Sequence, residues 1–262
     1  MSQSTVSCRK LAALALGFSL ASAEIGNLPA QDFRVDTDVY LEDGEETFSE
    51  HLTLFRGRVV YDFAVKGPEE ITILNLQDGK ISLLDVKRRK RADLTTAELL
   101  DFSANIKAIG TSKQAEDLVA PKFEVTFDDE QKSLELVSRK ITYRAAGIEL
   151  SDPSIATRYR EFTDWYARLN SMRPPNPPHF GRLELNRELA DRRLLPHDIE
   201  RTVVLGGLFR KPQKARSHHI VGTAISGTDR RRIDEAGGYL SEFAKVTLAD
   251  YMQLKTATVA TR

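Results

Sequence analysis

Two adjacent histidines, His218 and His219, are the residues of this sequence that most resemble a pair of metal ligands. Imidazole nitrogens bind zinc and related ions, but adjacent side chains of a strand point to opposite faces of the sheet. Because the segment around this pair is typical of a strand, we do not expect the two rings to share one ion. The other histidines are scattered, and no HExxH motif occurs. The sequence therefore predicts neither a metal ion nor another cofactor.

Motifs that build a nucleophilic active site are missing as well. Ser226 does not belong to a G-x-S-x-G elbow, because Ala224 stands where that motif needs glycine. The acidic run 128–130 lacks the alternating oxygen ligands of a calcium loop and is typical of a hairpin turn. These observations favour a protein that is not an enzyme and predict no catalytic residues. A hydrolase stays open only through carboxylates that meet in space, because glycosidase acids need no sequence motif.

Five adjacent cations are the sharpest charge feature, and they are Lys87, Arg88, Arg89, Lys90 and Arg91. Such a run could dock on an anionic membrane surface, where each cation contributes about 1 kcal/mol. We favour a solvated sheet edge, where charges prevent pairing with another sheet. The whole chain has 38 basic and 38 acidic residues, so no global field attracts nucleic acid, and we expect no nucleic-acid partner.

The first residues are typical of a secretory signal peptide over Met1–Ala23. Arg9 and Lys10 precede an apolar stretch that ends in the A-x-A cleavage pattern Ala21-Ser22-Ala23. The stretch is shorter than the ~20 residues that span a bilayer. We therefore expect a secreted or periplasmic protein after cleavage near Ala23, with residues 24–262 forming one domain.

The only cysteine, Cys8, lies in this segment, so the mature chain is expected to hold together without disulfides.

The front half of the mature chain has an apolar period of two, which predicts a meander of five strands joined by short turns. These strands are expected at about Phe33–Leu41, Thr47–Phe55, Arg58–Val65, Glu70–Leu76 and Lys80–Val86. The short links between them indicate antiparallel neighbours.

Helices are expected where the apolar spacing changes to three and four. Thr95 and Glu98 form a capping box for a helix to Ile109, and Asp152-Pro153 begins another helix to about Asn170. Further strands are expected at 122–127, 133–137, 140–145, 199–205 and 218–225, with helices near 113–119, 185–194 and 229–243. The fold class is therefore α+β, with a curved, mostly antiparallel sheet packed on a few amphipathic helices.

The order of elements resembles the LolA/LolB-like family of bacterial envelope lipoprotein carriers. The local likeness is strongest across Tyr61–Phe102, in Tyr61-Asp62, the hairpin Asp78-Gly79-Lys80, Leu84-Asp85 and Leu94–Phe102. It covers about a third of the chain, and the region after the Pro-rich segment 173–178 has no counterpart in the family. The resemblance implies a curved antiparallel sheet over helices, with an apolar cavity that holds acyl chains.

If the resemblance holds, one face of the meander would line the cavity or pack on the helix that ends at Ile109. The ligand-cavity candidates are Val59, Tyr61, Phe63, Ile71, Ile73, Leu99, Phe102 and Ile106. The same residues suit a filled core, since a sheet with one buried face needs them without a ligand. We therefore expect a non-catalytic envelope protein that binds a lipid or other apolar ligand. The alternative is a structural or protein-interaction module of the envelope, with an envelope protein or the membrane surface as partner.

Overall fold

A computed structural model describes residues 31–42, 44–110, 113–173, 176–204 and 211–259. The expected signal peptide, 1–23, lies outside the described residues, as does Cys8. Within the described part of the chain, none of the helices combines the length and the apolar character needed to cross a bilayer.

Twelve strands are described, each named here with its bounds. They are β1 (Phe33–Leu41), β2 (Ser49–Arg56), β3 (Val59–Lys66), β4 (Glu70–Asn75), β5 (Lys80–Asp85), β6 (Lys90–Thr95), β7 (Glu124–Asp128), β8 (Ser133–Val137), β9 (Ile141–Glu149), β10 (Leu194–Val203), β11 (Gln213–Gly222) and β12 (Ala244–Lys245). The helices are α1 (Thr96–Ile109), α2 (Lys113–Val119), α3 (Pro153–Ser171), α4 (Phe180–Asp191), α5 (Gly227–Glu242) and α6 (Leu248–Val259).

All twelve strands form one open sheet in the order β12-β6-β5-β4-β3-β2-β1-β11-β10-β9-β8-β7. Every neighbouring pair is antiparallel except β12 with β6. Strands β1 to β5 form the expected meander and β6 extends it, while β1 also pairs with β11 from the far end of the sequence. This arrangement confirms an α+β fold built on a mostly antiparallel sheet with several helices. The curvature of the sheet stays a prediction.

Each face of the sheet is named here by the helix that covers it. The α3 face carries one large core, in which residues of β1 to β6 pack against α1, α3 and α6. Its largest members are Phe33, Phe55, Leu74, Leu83, Leu99, Tyr159, Phe162 and Tyr251. Farther along the same face, α4 covers β8, β9 and β10 through Leu185 and Leu189. The opposite face, the α5 face, is covered by helix α5 at one end of the sheet and carries polar residues at the other.

Local sequence signals account for where the main helices begin. Thr95 accepts a hydrogen bond from the backbone N–H of Glu98, whose carboxylate accepts one from the N–H of Thr95, as the capping box predicts. Asp152 caps α3, and Pro153 occupies its first turn, where a missing N–H removes no helical bond.

The largest differences from the sequence-based expectation concern four elements. Strand β6 contains part of the basic run, and its charges hid the short alternation of Ala92 and Leu94, both buried. Helix α4 begins at Phe180 and ends at Asp191, so Arg192 and Arg193, which were expected to continue a helix, form the turn before β10. The last two elements, β12 and α6, were not expected. Strand β12 has only two residues, which are too few to show an apolar period.

Candidate functional site

The ligand-cavity candidates of the meander lie together on the α5 face. Register places Tyr61 opposite Ile73 and Phe63 opposite Ile71. With Val59 they pack into an apolar cluster whose remaining members come from neighbouring strands and from Ala236, Tyr239, Leu240 and Phe243. Beside it, Leu52 and Leu54 pack against Ile225 and Ile233. In both clusters, every residue from outside the sheet and its turns belongs to 225–243, so the α5 segment covers this apolar surface.

Contacts at its two ends hold α5 on the sheet. At the start, Ser226 and Asp229 form a capping box, and Nη1 of Arg34 lies 3.1 Å from Oδ2 of Asp229. Burial raises the pKa of Asp229, but hydrogen bonds from Ser226 and the charge of Arg34 outweigh it and lower the pKa. At the end, Arg89 pairs with Glu242 at 3.0 Å and stacks over Phe243.

The three candidates on α1 are not brought to this surface. Leu99 is fully buried in the core of the α3 face, on the other side of the sheet from Tyr61 and Ile73. Phe102 and Ile106 are half-buried on the same helix. The eight candidates therefore form two separate sets, and the helix that packs on the meander candidates is α5 rather than α1.

The basic run lies in the β5–β6 turn and at the start of β6. Arg88 pairs with Asp85 at 2.7 Å and Arg89 with Glu242, while Arg91 pairs with Asp93 and donates to the carbonyl of Leu240. Lys87 is exposed in the turn, and Lys90 is half-buried opposite Ala244 of β12. The start of β6 is therefore covered by β12, and the run adjoins the C-terminal end of α5.

Polar side chains form a row on the α3 face between the sheet and helix α3. Asp62 lies 2.9 Å from Nδ1 of His51 and accepts a hydrogen bond of 2.8 Å from Thr53. Burial lowers the pKa of His51, but the hydrogen bond and charge of Asp62 outweigh it, and the net pKa is raised. Burial and the Asp62 charge also raise the pKa of Tyr166. The row is satisfied internally, which is typical of a structural network.

A second histidine of this row, His219, is buried among hydroxyl groups. Its ring nitrogens lie 3.1 Å from the hydroxyl of Thr37, 3.3 Å from that of Tyr159 and 2.9 Å from that of Ser217. Burial, with a smaller effect of nearby cations, lowers the pKa of His219 to about 3. The ring is therefore neutral at physiological pH.

Side chains of the sheet and of helix α3 pack against one another. A cavity of about 10 Å³ lies among residues of β4, β5 and α3, including Thr72, Leu74 and Phe162. That volume is near the minimum for a single water molecule. At this position, the interface between the sheet and helix α3 is therefore a packed core.

A cluster of possible metal ligands lies on strands β10 and β11. The Nδ1 atoms of His197 and His218 lie 2.5 and 2.9 Å from the two carboxylate oxygens of Asp198. The ligand atoms of all three side chains lie within 4.8 Å of one another. Burial raises the pKa of Asp198, but hydrogen bonds from both histidines outweigh it and lower the pKa.

A β-bulge and strand pairing create this cluster. Asp198 lies directly opposite His218 in the antiparallel pair of β10 and β11. In the pairing of β10 with β9, Pro196 faces Gly147 and Asp198 faces Ala146, so His197 is the extra residue of a bulge. A bulge re-aims a side chain that a regular strand would point away. The cluster borders an open pocket of about 230 Å³ that Tyr40, Glu200 and Arg216 also line.

Sequence reasoning correctly placed His218 and His219 on opposite sides of a strand but missed the partners of His218. Those partners depend on which strands pair, which no local pattern gives. One signal was available: Pro196 inside a strand marks an edge or a bulge, and His197-Asp198 follows it.

Comparison with protein-family models and with curated sequences finds no match. Among solved structures, the chain is similar to the LolA superfamily protein NE2245 from Nitrosomonas europaea. The two share 6% sequence identity and a TM-score of 0.26, over 76% of this chain and 88% of that chain. A likeness at this level carries no conclusion about ligand or activity.

Proposed function

We propose that this protein is a non-catalytic protein of the cell envelope that binds a lipid or another apolar ligand on the α5 face of its sheet. One observation carries the proposal: the apolar surface of β2 to β5 is covered by the single segment 225–243. The cavity of about 10 Å³ among β4, β5 and α3 is too small for an acyl chain, so the ligand is assigned to the opposite face.

Helix α5 is built to give way in its middle rather than at its ends. Its ends are held by the Asp229 and Arg89 contacts, whereas Gly237 and Gly238 stand side by side in its interior. Each interior glycine weakens a helix by about 1 kcal/mol relative to alanine. Opening this helix exposes Tyr61, Phe63 and Ile73 for an acyl chain.

In this mechanism the ligand replaces the apolar side chains of α5. Each methylene transferred from water to the sheet contributes about 0.8 kcal/mol, which offsets the loss of the helix contacts. Opening of the middle of α5 releases Arg91 from the carbonyl of Leu240, while Arg89 stays paired with Glu242 at the end of the helix. Arg91 would then be available to an anionic headgroup, which gives the basic run a role near the same site.

A stabilised helix tests this proposal without altering the apolar surface. An added Cβ at Gly237 meets no atom within 4 Å, and at Gly238 the nearest atom is 3.8 Å away. The double variant Gly237→Ala/Gly238→Ala should therefore strengthen α5 by about 2 kcal/mol. We expect it to weaken binding of a fluorescent fatty acid by roughly 5–30-fold in a titration.

Gly227→Ala is the matched control, because Gly227 is the first helical residue and its Cβ also meets open space. It should bind the probe as the natural chain does. No probe binding by the natural chain, together with no lipid recovered by mass spectrometry after native purification, overturns the proposed function. Probe binding that the double variant leaves unchanged overturns the part of the proposal in which α5 opens.

A second candidate function is a protein-interaction module of the envelope with a solid core. The aromatic side chains packed under α3, such as Phe55, Tyr159 and Phe162, favour it, since a core filled by side chains needs no ligand. Cross-linking in intact cells tests it: a stable envelope partner without bound lipid supports the module over the carrier.

A further inference from the structure

We propose that His197, Asp198 and His218 form a binding site for a divalent transition-metal ion. Two imidazoles and one carboxylate match the preferences of zinc and neighbouring metals, whereas calcium and magnesium take oxygen ligands. The site lies on the open part of the α5 face, on strands that helix α5 does not cover, and it is independent of the proposed lipid function.

The geometry is already close to that of a ligand set. Both Nδ1 atoms lie within 2.9 Å of a carboxylate oxygen, and the two rings lie 4.5 Å apart at an angle of 87°. Metal–ligand bonds of about 2.0–2.2 Å require ligand atoms a few ångströms apart. The side chains of His197 and His218 are 45% and 36% exposed, so small rotations that admit an ion meet little packing.

The backbone around the site is fixed while its mouth stays open. Strand β10 is paired on both sides, with β9 and with β11, so the bulge that aims His197 is held in the middle of the sheet. Three protein ligands leave a further coordination position. The adjoining pocket of about 230 Å³ gives that position access to water or to a small anion.

Charged neighbours set the character of this open position. Asp38 of β1 lies opposite His218 on its other side, and its carboxylate is placed to add negative charge. Glu200 and Arg216 face each other across β10 and β11, and Arg216 stacks over Tyr40 at 4.3 Å. Negative charge beside the histidines favours binding of a cation. Arg216 is placed to pair with an anion that binds to this cation.

Calorimetric titration of the chelator-treated full chain, free of any histidine tag, with Zn²⁺ tests the site. We expect one ion per chain with micromolar or tighter affinity. Asp198→Asn and His218→Gln should each weaken binding by roughly tenfold or more, since even loss of a second-shell partner has an effect of about 10–100-fold. Co²⁺ should give visible absorption bands in the natural chain, and these bands should be lost in both variants.

Glu135→Gln is the matched control, because it removes one carboxylate charge from strand β8 of the same sheet, outside the pocket. It should retain binding within a few-fold. Absence of Zn²⁺ binding at micromolar concentration overturns the proposal. Binding that all three variants weaken equally also overturns it, because that result indicates a diffuse effect of charge.

Discussion

Arg173, just beyond the end of α3, places its Nη1 atom 2.9 Å from Oε1 of Glu70 in strand β4. The other oxygen of Glu70 accepts a hydrogen bond of 2.8 Å from the hydroxyl of Tyr251 in α6. Burial lowers the pKa of Arg173, but the charge of Glu70 outweighs it and raises the pKa. One buried carboxylate therefore joins the sheet to two helices that are distant in sequence.

Glu70→Gln should destabilise the fold. The substitution keeps the shape of the side chain but leaves Arg173 without the charge that offsets its burial, and loss of a buried partner has an effect of about 3–5 kcal/mol. The side chain of Arg173 retains 23% exposure, so we expect a value at or below the lower end of that range. Urea denaturation measures the change.

Glu161→Gln is the control for that measurement, because Glu161 pairs with Arg58 at 3.4 Å on the surface. An exposed pair of this kind contributes about 0–1 kcal/mol. Equal losses in Glu70→Gln and Glu161→Gln would show that the buried pair has no special role.

Acid should lower the free energy of unfolding through protonation of His219. Its folded pKa of about 3 lies below the unfolded value of about 6.5, so the unfolded state binds the extra proton between these values. The stability from a neutral His219 is therefore present above pH 6.5 and is lost as pH falls toward 3. This group alone gives a slope of up to about 1.4 kcal/mol per pH unit.

His219→Gln should flatten that slope, because glutamine does not titrate. Urea unfolding of both proteins at several pH values from neutral to acid measures the difference. His179, whose pKa burial lowers to about 4, adds a slope of the same sign in both proteins and so cancels in the comparison. Parallel pH profiles would contradict the assignment to His219.

Two hairpin glycines should differ in their tolerance of alanine. Gly57 and Gly79 both have positive φ, near 56° and 60°, where a Cβ is unfavourable by roughly 1–2 kcal/mol. A Cβ at Gly79 would also lie 2.6 Å from the hydroxyl oxygen of Thr96, whereas at Gly57 it meets nothing within 4 Å. Gly79→Ala should therefore lower the melting temperature more than Gly57→Ala.

Removing the obstructing hydroxyl tests the cause of that difference. The double variant Gly79→Ala/Thr96→Ala, compared with Thr96→Ala alone, should show only the penalty seen at Gly57. A larger remaining penalty would mean that the Thr96 hydroxyl is not responsible for the difference.

Asp229→Ala should loosen α5 while leaving the rest of the fold intact. The change removes the capping box with Ser226 and the ion pair with Arg34 together. Loss of a cap alone has an effect of about 1 kcal/mol, and loss of a charged hydrogen bond about 1.5–3 kcal/mol. Hydrogen exchange should accelerate at the amides of α5, with those of α3 unchanged. Uniform acceleration in both helices would contradict local opening.

Local patterns predicted most of the meander and the two main helices, because each signal lies within a few residues. Phe33 and Val35 alternate with polar neighbours, and both are buried in β1. The pairing of β1 with β11 was not predictable in this way, since nothing near Val35 indicates Val221 as its partner. The cluster around Asp198 was not predictable for the same reason. In addition, a bulge interrupts the period of two in β10.

The pairing of β1 with β11 also has a consequence for how the chain matures. Strand β1, residues 33–41, has its second neighbouring strand only after residues 213–222 have been synthesised. The middle of the sheet is therefore completed late in synthesis. Until then, one flank of β1 offers free peptide groups that other nascent chains can capture. Contacts so distant in sequence slow folding, and an intermediate that exposes this flank of β1 is prone to aggregate.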